Sequence, residues 1–232
     1  MSWLVRMQID AETAYSLGIR TSYDWHRRLW ECFPNVPDAR RDFLTRVDYL
    51  EGAFRVWVVG RRQPSRPAWC PVSAFSVKEI TTAFFQHRFY VFDLRANPVR
   101  AIVQRGPKGD PLLGLTGKRR RGKRVPLVRT DDLRTWLRNK AEARCRDQAG
   151  RNVPGGFRVV EEWPLEITRP VDFHFGKEGR DAYHSGVQFR GTLEVTDRDR
   201  FVETYHAGIG GAKGFGFGLF LLAPITPDRD HQ

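Results

Sequence analysis

Residues 3–60 read WLVRMQIDAETAYSLGIRTSYDWHRRLWECFPNVPDARRDFLTRVDYLEGAFRVWVVG, and this stretch decides the fold. WLVRMQI (3–9) is rich in apolar and β-branched residues, which predicts a strand. YDWHRRLWECF (23–33) has helical periodicity and stops at Pro34. DFLTRVDYL (42–50) and AFRVWVVG (53–60) are two further strand-like runs. A proline-rich break from Gln63 to Pro71 follows, then a short strand-like run at Phe75–Ile80. Strand, helix, strand, strand and a fourth strand make a ferredoxin-like half in which the second helix is not visible.

A second α+β pattern begins at FYVFDLRANPVRAIV (89–103), strand-like, with Pro98 marking an edge or bend. The loop after it is dense in glycine and positive charge. TDDLRTWLRNKAEARCR (130–146) predicts the clearest helix, with Thr130 as its cap and acids in its first turn. Arg144 and Arg146 in its last turn suit the dipole. FRVVEEW (157–163), VQFRGTLEV (187–195), helix-like DRDRFVETYHAG and the strand FGLFLLAPI complete the chain. Two α+β halves in tandem fit this order, and no close sequence repeat links them.

Lysine and arginine number 39 against 27 acids, a net charge of +12. A charge of that sign attracts polyanions by steering and counterion release. No apolar run approaches the roughly 18–20 residues of a spanning helix. The start MSWLVRMQID lacks the apolar core and cleavage site of a signal peptide. Nucleic acid in the cytoplasm is therefore the expected partner, with no membrane. Cys32, Cys70 and Cys145 lie far apart, the six histidines are scattered, and no pair has zinc spacing, so neither metal nor cofactor is expected.

Three features are able to carry chemistry. On the 23–33 helix, Trp25, Leu29, Cys32 and Phe33 fall on one stripe about 100° wide, the width of a core-facing surface. Tyr23, His26, Arg27 and Trp30 fall on another, with Tyr23 and His26 three apart and hence neighbours. A phenol, an imidazole and a guanidinium on one face suit acid–base cleavage of a phosphodiester. The same spacing also suits a histidine that borders the core and only hydrogen-bonds. GIGGAKGFGFG (208–218) holds six glycines around Lys213. It reads either as a phosphate cradle or as glycines that permit close packing beside a solvated lysine. It fits neither a Walker loop nor a dinucleotide fingerprint. Lys118-Arg-Arg-Arg-Gly-Lys-Arg124 places six basic residues in seven, a solvated arm or an anion-binding one. HFGKEGRDAYHSG (174–186) is hairpin-like, and its Lys177, Arg180, Tyr183 and His184 suit an RNA backbone or a plain surface loop.

In this order the pieces resemble the CasE family, the CRISPR RNA endoribonucleases of Cascade complexes. The resemblance rests on YDWHRRLWECFP with DARRDFL, on FDLRANPVR, on GKRVPLVRTDDLRTWLRNK, on FRGTLEV and on GIGGAKGFGFGLFLLAP. The stretch around 63–71 matches poorly, and Tyr183-His184 stand where family members often have lysine. The resemblance implies two tandem ferredoxin-like (RRM-like) domains, here 1–86 and 87–227, with a frayed tail at 228–232. It implies a repeat stem–loop cut at the 3′ base of its stem without metal, and guide RNA retained beside other Cascade subunits. It places His26 and Tyr23 at the scissile phosphate, with Arg27 and Lys213 stabilising the transition state. RNA contacts are expected from Arg95, Lys118, Arg119, Arg120, Arg121, Lys123, Arg124, Lys177, Arg180, Gly210 and Gly211. The alternative is a non-catalytic RNA-binding subunit.

Overall fold

The computed structural model describes the chain except 35–41, 104, 106–109, 111–121, 143–144, 147–151, 170–172, 178–179 and 227–232, with backbone alone for 145–146, 173–177 and 180–184. The first half comprises β1 (Ser2–Asp10), α1 (Ala11–Ser16), α2 (Ser22–Leu29), β2 (Phe43–Leu50), β3 (Ala53–Gly60) and β4 (Phe75–Ile80). These strands form one antiparallel sheet in the order β2-β3-β1-β4. Period-two alternation sends Val5, Met7 and Ile9 to one face, where they pack with Val56 and Val58 under Trp25 and Leu29 of α2. Leu4, Leu44 and Val59 go to the other face and join the core of the second half. No α-helix connects β3 to β4; a 3-10 turn, Val72–Ala74, stands there.

The second half comprises β5 (Phe89–Ala96), β6 (Val99–Ile102), β7 (Lys123–Pro126), α3 (Thr130–Glu142), β8 (Cys145–Arg146), β9 (Asn152–Val153), β10 (Phe157–Val159), β11 (Glu166–Thr168), β12 (Phe173–Lys177), β13 (Arg180–His184), β14 (Val187–Val195), α4 (Arg198–Ala207) and β15 (Phe220–Pro224). Its sheet runs β10-β14-β5-β15, with β11 also on β14, which repeats the strand order of the first half. Tyr90, Phe92 and Leu94 of β5 pack with Leu133 and Leu137 of α3 and Phe201 of α4. The fold is α+β, two ferredoxin-like units in tandem.

Three expectations need correction. α2 does not run to residue 33: it ends at Leu29 and continues as a 3-10 turn, Trp30–Cys32. α3 ends at Glu142 rather than 146, because the Gly155 N–H donates to the Ala141 carbonyl at 2.6 Å and Cys145–Arg146 pairs with Asn152–Val153. Thr130 is the first helical residue rather than the cap, since the Arg129 carbonyl accepts the Leu133 N–H at 3.0 Å. The tail at 228–232 lies outside the described residues.

The two sheets meet through a polar array. Arg46 of β2, with a side chain only 4% exposed, donates to Asp48 at 2.9 Å and across the junction to Asp93 of β5 at 2.6 Å. Arg95 of β5 reaches back to Asp48 at 2.6 Å and to the Val47 carbonyl at 2.7 Å. Gln188 and Arg190 of β14 also donate to Asp93, at 2.9 and 3.1 Å. Burial opposes ionisation of Asp93, but hydrogen bonds and charge from Arg46 and Arg190 hold its carboxyl below the usual range.

Replacing Asp93 with alanine leaves the buried Arg46 charge without its cross-sheet partner, and urea titration is expected to show a loss of about 3–5 kcal/mol. The lowered Asp93 carboxyl adds stability that is complete above its unfolded pKa of about 3.9 and is lost as pH falls through the lower folded value. Wild-type stability is therefore expected to drop more steeply than that of Asp93→Ala as a titration series passes below about pH 4.

Candidate active site

Helix α2 starts at a reciprocal cap. The Thr21 hydroxyl accepts the Asp24 N–H at 3.3 Å, and the Asp24 carboxylate accepts the Thr21 N–H at 2.8 Å. Burial raises the Asp24 pKa, but the hydrogen bonds from Thr21 and Arg20 outweigh it and leave the carboxyl below its ordinary value. The stripe read from the sequence is the one buried: Trp25, Leu29, Cys32 and Phe33 are each at most 5% exposed. On the other stripe, Tyr23, His26 and Trp30 are half-buried, Trp30 at the edge of the same core, and Arg27 is exposed. Burial pushes the Cys32 thiol behind this helix up to about 12, so it stays protonated.

The His26 ring lies among aromatics. The Trp30 indole N–H donates to His26 Nε2 at 3.4 Å, and the Phe43 ring lies 6.3 Å from the imidazole. Trp30 meets Phe43 edge-on at 5.0 Å, and Phe43 stacks on Phe33 at 4.7 Å. Gly60, directly opposite Phe43 in the sheet, leaves room for that stack, since a Cβ there would lie 3.2 Å from Phe43 Cβ.

The glycine loop reaches this helix from the far end of the chain. α4 stops at Gly208 (φ 72°), whose N–H donates to the Thr204 carbonyl at 2.8 Å. The loop closes where the Ile209 N–H donates to the Gly218 carbonyl at 2.9 Å, and it is anchored where the Gly218 N–H donates to the Arg95 carbonyl at 2.8 Å. Between these points a 3-10 turn, Lys213–Phe215, packs on α2 and β2. The Lys213 ammonium donates to the Ala207 carbonyl at 2.6 Å, at the negative end of α4. The turn that carries Lys213 thus packs on the helix that carries His26, although the two lie at opposite ends of the sequence.

The glycines divide by role. A Cβ on Gly218 would lie 2.6 Å from the Ile209 carbonyl oxygen, and one on Gly208 would lie 2.8 Å from Leu44, so these two permit close packing. Gly210 (φ 83°) faces the Trp136 ring edge at 3.2 Å from its Cβ position. Only Gly211, of the two expected to meet RNA, has nothing within 4 Å of that position.

Other expected contacts fall elsewhere. Arg95 belongs to the array between the sheets, where its guanidinium donates to the Val47 carbonyl and to Asp48. Lys123 and Arg124 sit on β7, paired with Ile102 and Ala101 of β6. Lys118, Arg119, Arg120 and Arg121 lie outside the described residues. Lys177 and Arg180 pair with each other at the end of the β12–β13 ribbon, which bears out the hairpin. Among the described residues, no three of His, Cys, Asp and Glu are grouped as metal ligands, and no helix is long and apolar enough to cross a membrane. Sequence reading missed the Trp30–His26 bond and the Phe43 wall. Trp30 was visible on the histidine stripe; nothing local marked Phe43.

Two ferredoxin-like sheets, with a histidine-bearing helix packed under a glycine loop, define a tandem RRM-like architecture. The chain belongs to the CRISPR associated protein family, whose model matches residues 2–224. It is 31% identical over 211 residues to the CRISPR system Cascade subunit CasE of Escherichia coli, covering 89% of this chain and 94% of that one. It is 26% identical over 241 residues to the CRISPR-associated endoribonuclease Cse3 of Thermus thermophilus, covering 96% and 100%. In fold it is similar to Cas6e from Escherichia coli (TM-score 0.66, 24% identity, 97% of this chain and 100% of that one). It is likewise similar to Thermus thermophilus Cse3 bound to an RNA representing a pre-cleavage complex (TM-score 0.68, 23% identity, 96% and 99%). The CasE resemblance read from the sequence holds.

Gly218→Ala, strained at φ 87° and blocked by the Ile209 backbone, is expected to cost about 2 kcal/mol or more in a urea titration. Gly211→Ala should stay within about 0.5 kcal/mol, so any effect it has on RNA binding reads the open side of the loop.

Proposed function

We propose that this chain is a CRISPR-specific endoribonuclease that cuts precursor RNA at the 3′ base of the repeat stem and keeps the guide RNA as a Cascade subunit. The observation that carries the reading is the packing of the Lys213 turn on the helix of Tyr23 and His26. It occurs in a chain 31% identical to a Cascade subunit over nearly its whole length. A proton-transfer group and a cation near one phosphate are what transesterification requires.

In this mechanism the ribose 2′-OH upstream of the cut loses its proton and attacks the adjacent phosphorus. The 5′-oxygen takes a proton and leaves. The products are a 2′,3′-cyclic phosphate, or its opened 3′-phosphate, and a 5′-OH. His26 is the principal proton-transfer group, because imidazole exists in both forms near neutrality. Tyr23 orients or transfers the second proton. Lys213, held at the end of α4, and exposed Arg27 offset the charge that builds on the phosphorane, a term of roughly 2.7–4 kcal/mol per donor in comparable sites.

The 118–124 arm and the Lys177–Arg180 hairpin hold the A-form stem by shape and phosphate, as duplex RNA demands. Residues 1–86 form the domain that carries the catalytic helix, and 87–227 the domain that carries arm, hairpin and glycine loop. The protein works in the cytoplasm, and cleavage needs no metal ion.

Purified protein incubated with its repeat RNA in EDTA is expected to cleave it. His26→Ala is expected to slow single-turnover cleavage by roughly 10²–10⁴-fold, and a 2′-deoxy substitution at the cut to abolish it. Lys213→Ala is expected to slow cleavage by about 10²-fold or more. Stem–loop binding without cleavage by the wild type would make the chain a binding subunit instead; cleavage only with added magnesium would overturn the metal-free step.

A further inference from the structure

Trp30 shares a face with Tyr23 and His26, yet the mechanism above gives it no part. Its indole Nε1 donates to His26 Nε2 at 3.4 Å, and the two rings meet edge-on with centroids 6.3 Å apart. Trp30 opens the 3-10 turn that follows α2, so the backbone tightens at that residue. Its ring is fixed from the other side by Phe43, which it meets at 78° and 5.0 Å. Phe43 is 2% exposed and stacked on Phe33, so the whole row is anchored in the core.

An indole N–H donates and never accepts. The nitrogen it meets must therefore carry a lone pair, which leaves the proton of the neutral imidazole on Nδ1. We propose that Trp30 is a positioning residue that holds His26 in the Nδ1–H tautomer and so decides, before RNA binds, which ring nitrogen gives a proton and which receives one. The proposal rests on the reading of His26 as the proton-transfer group. An imidazolium has two donors and cannot accept the indole N–H, so this bond belongs to the neutral ring alone. Holding the wrong tautomer disables histidine catalysis even where the geometry is intact, which is why the assignment matters for rate.

Full-length protein with ¹⁵N-labelled histidine, without RNA and above neutral pH, gives the tautomer directly from long-range proton–nitrogen correlations, with His26 assigned by its loss in His26→Gln. The wild type is expected to show a bare Nε2 and a protonated Nδ1. Trp30→Phe keeps an aromatic ring beside Phe43 but removes the N–H. It is expected to move both nitrogens toward the average of two tautomers. Single-turnover cleavage of the repeat stem–loop should slow on the order of 10-fold, with Kd unchanged within about twofold. Benzothienylalanine at position 30 preserves the bicyclic shape without the N–H and is expected to match Trp30→Phe. A protonated Nε2 in the wild type overturns the proposal, as does a faster rate or an unchanged spectrum in both variants. If His26→Ala cleaves at the wild-type rate, the catalytic reading itself falls; if His26→Ala is inactive while both Trp30 variants behave as wild type, only the role of Trp30 falls.

Discussion

Arg46 is the residue on which the arrangement of the two halves turns. Its guanidinium is almost fully withdrawn from water and is satisfied by one carboxylate on its own strand and one on the opposite sheet. Buried ion pairs add little net stability, because desolvation offsets most of the attraction. Their value here is directional: a planar fork between two carboxylates tolerates little sliding or rotation. Arg95 runs the same contact in reverse, from β5 to Asp48 and the Val47 carbonyl. Leu4, Leu44, Trp57, Val59 and Ile80 of the first half add apolar contact by packing into the second core.

That junction also anchors the glycine loop. The carbonyl of Arg95 receives the Gly218 N–H, so the strand that locks the sheets together is the strand that anchors the glycine loop. From this anchor the loop passes beside the backbone of Arg46 and Val47, where a Cβ on Gly216 would lie 3.9 Å away, and its 3-10 turn then rests on α2. Side chain and backbone of the same two strands thus serve both interface and loop. The placement of the Lys213 turn on the helix of His26 depends on the junction.

Much of this was legible in the chain. β4 and β14 fall on the runs Phe75–Ile80 and VQFRGTLEV marked in the sequence, and the missing second helix of the first half is absent from the fold as well as from the pattern. The buried stripe of α2 follows from periodicity, because burying an apolar face is what makes an eight-residue helix stable. The errors have tertiary causes. The ends of α2 and α3 were overrun because periodicity continues past the point where tertiary contacts divert the backbone. At α3 that contact is Gly155, which packs against the Lys140 and Ala141 carbonyls too closely to admit a side chain.

Composition and order of motifs were enough to determine the class: a basic α+β chain of two ferredoxin-like units, with a histidine helix at one end and a glycine loop at the other. Those properties are local, and hydrophobic period and turn chemistry encode them. Only the tertiary structure decided that Lys213 packs beside the helix of His26, that Gly208 and Gly218 serve packing while Gly211 stays open, and that Arg95 is a strut. Each depends on which surfaces come within a few ångströms across the junction, a distance that no linear pattern contains.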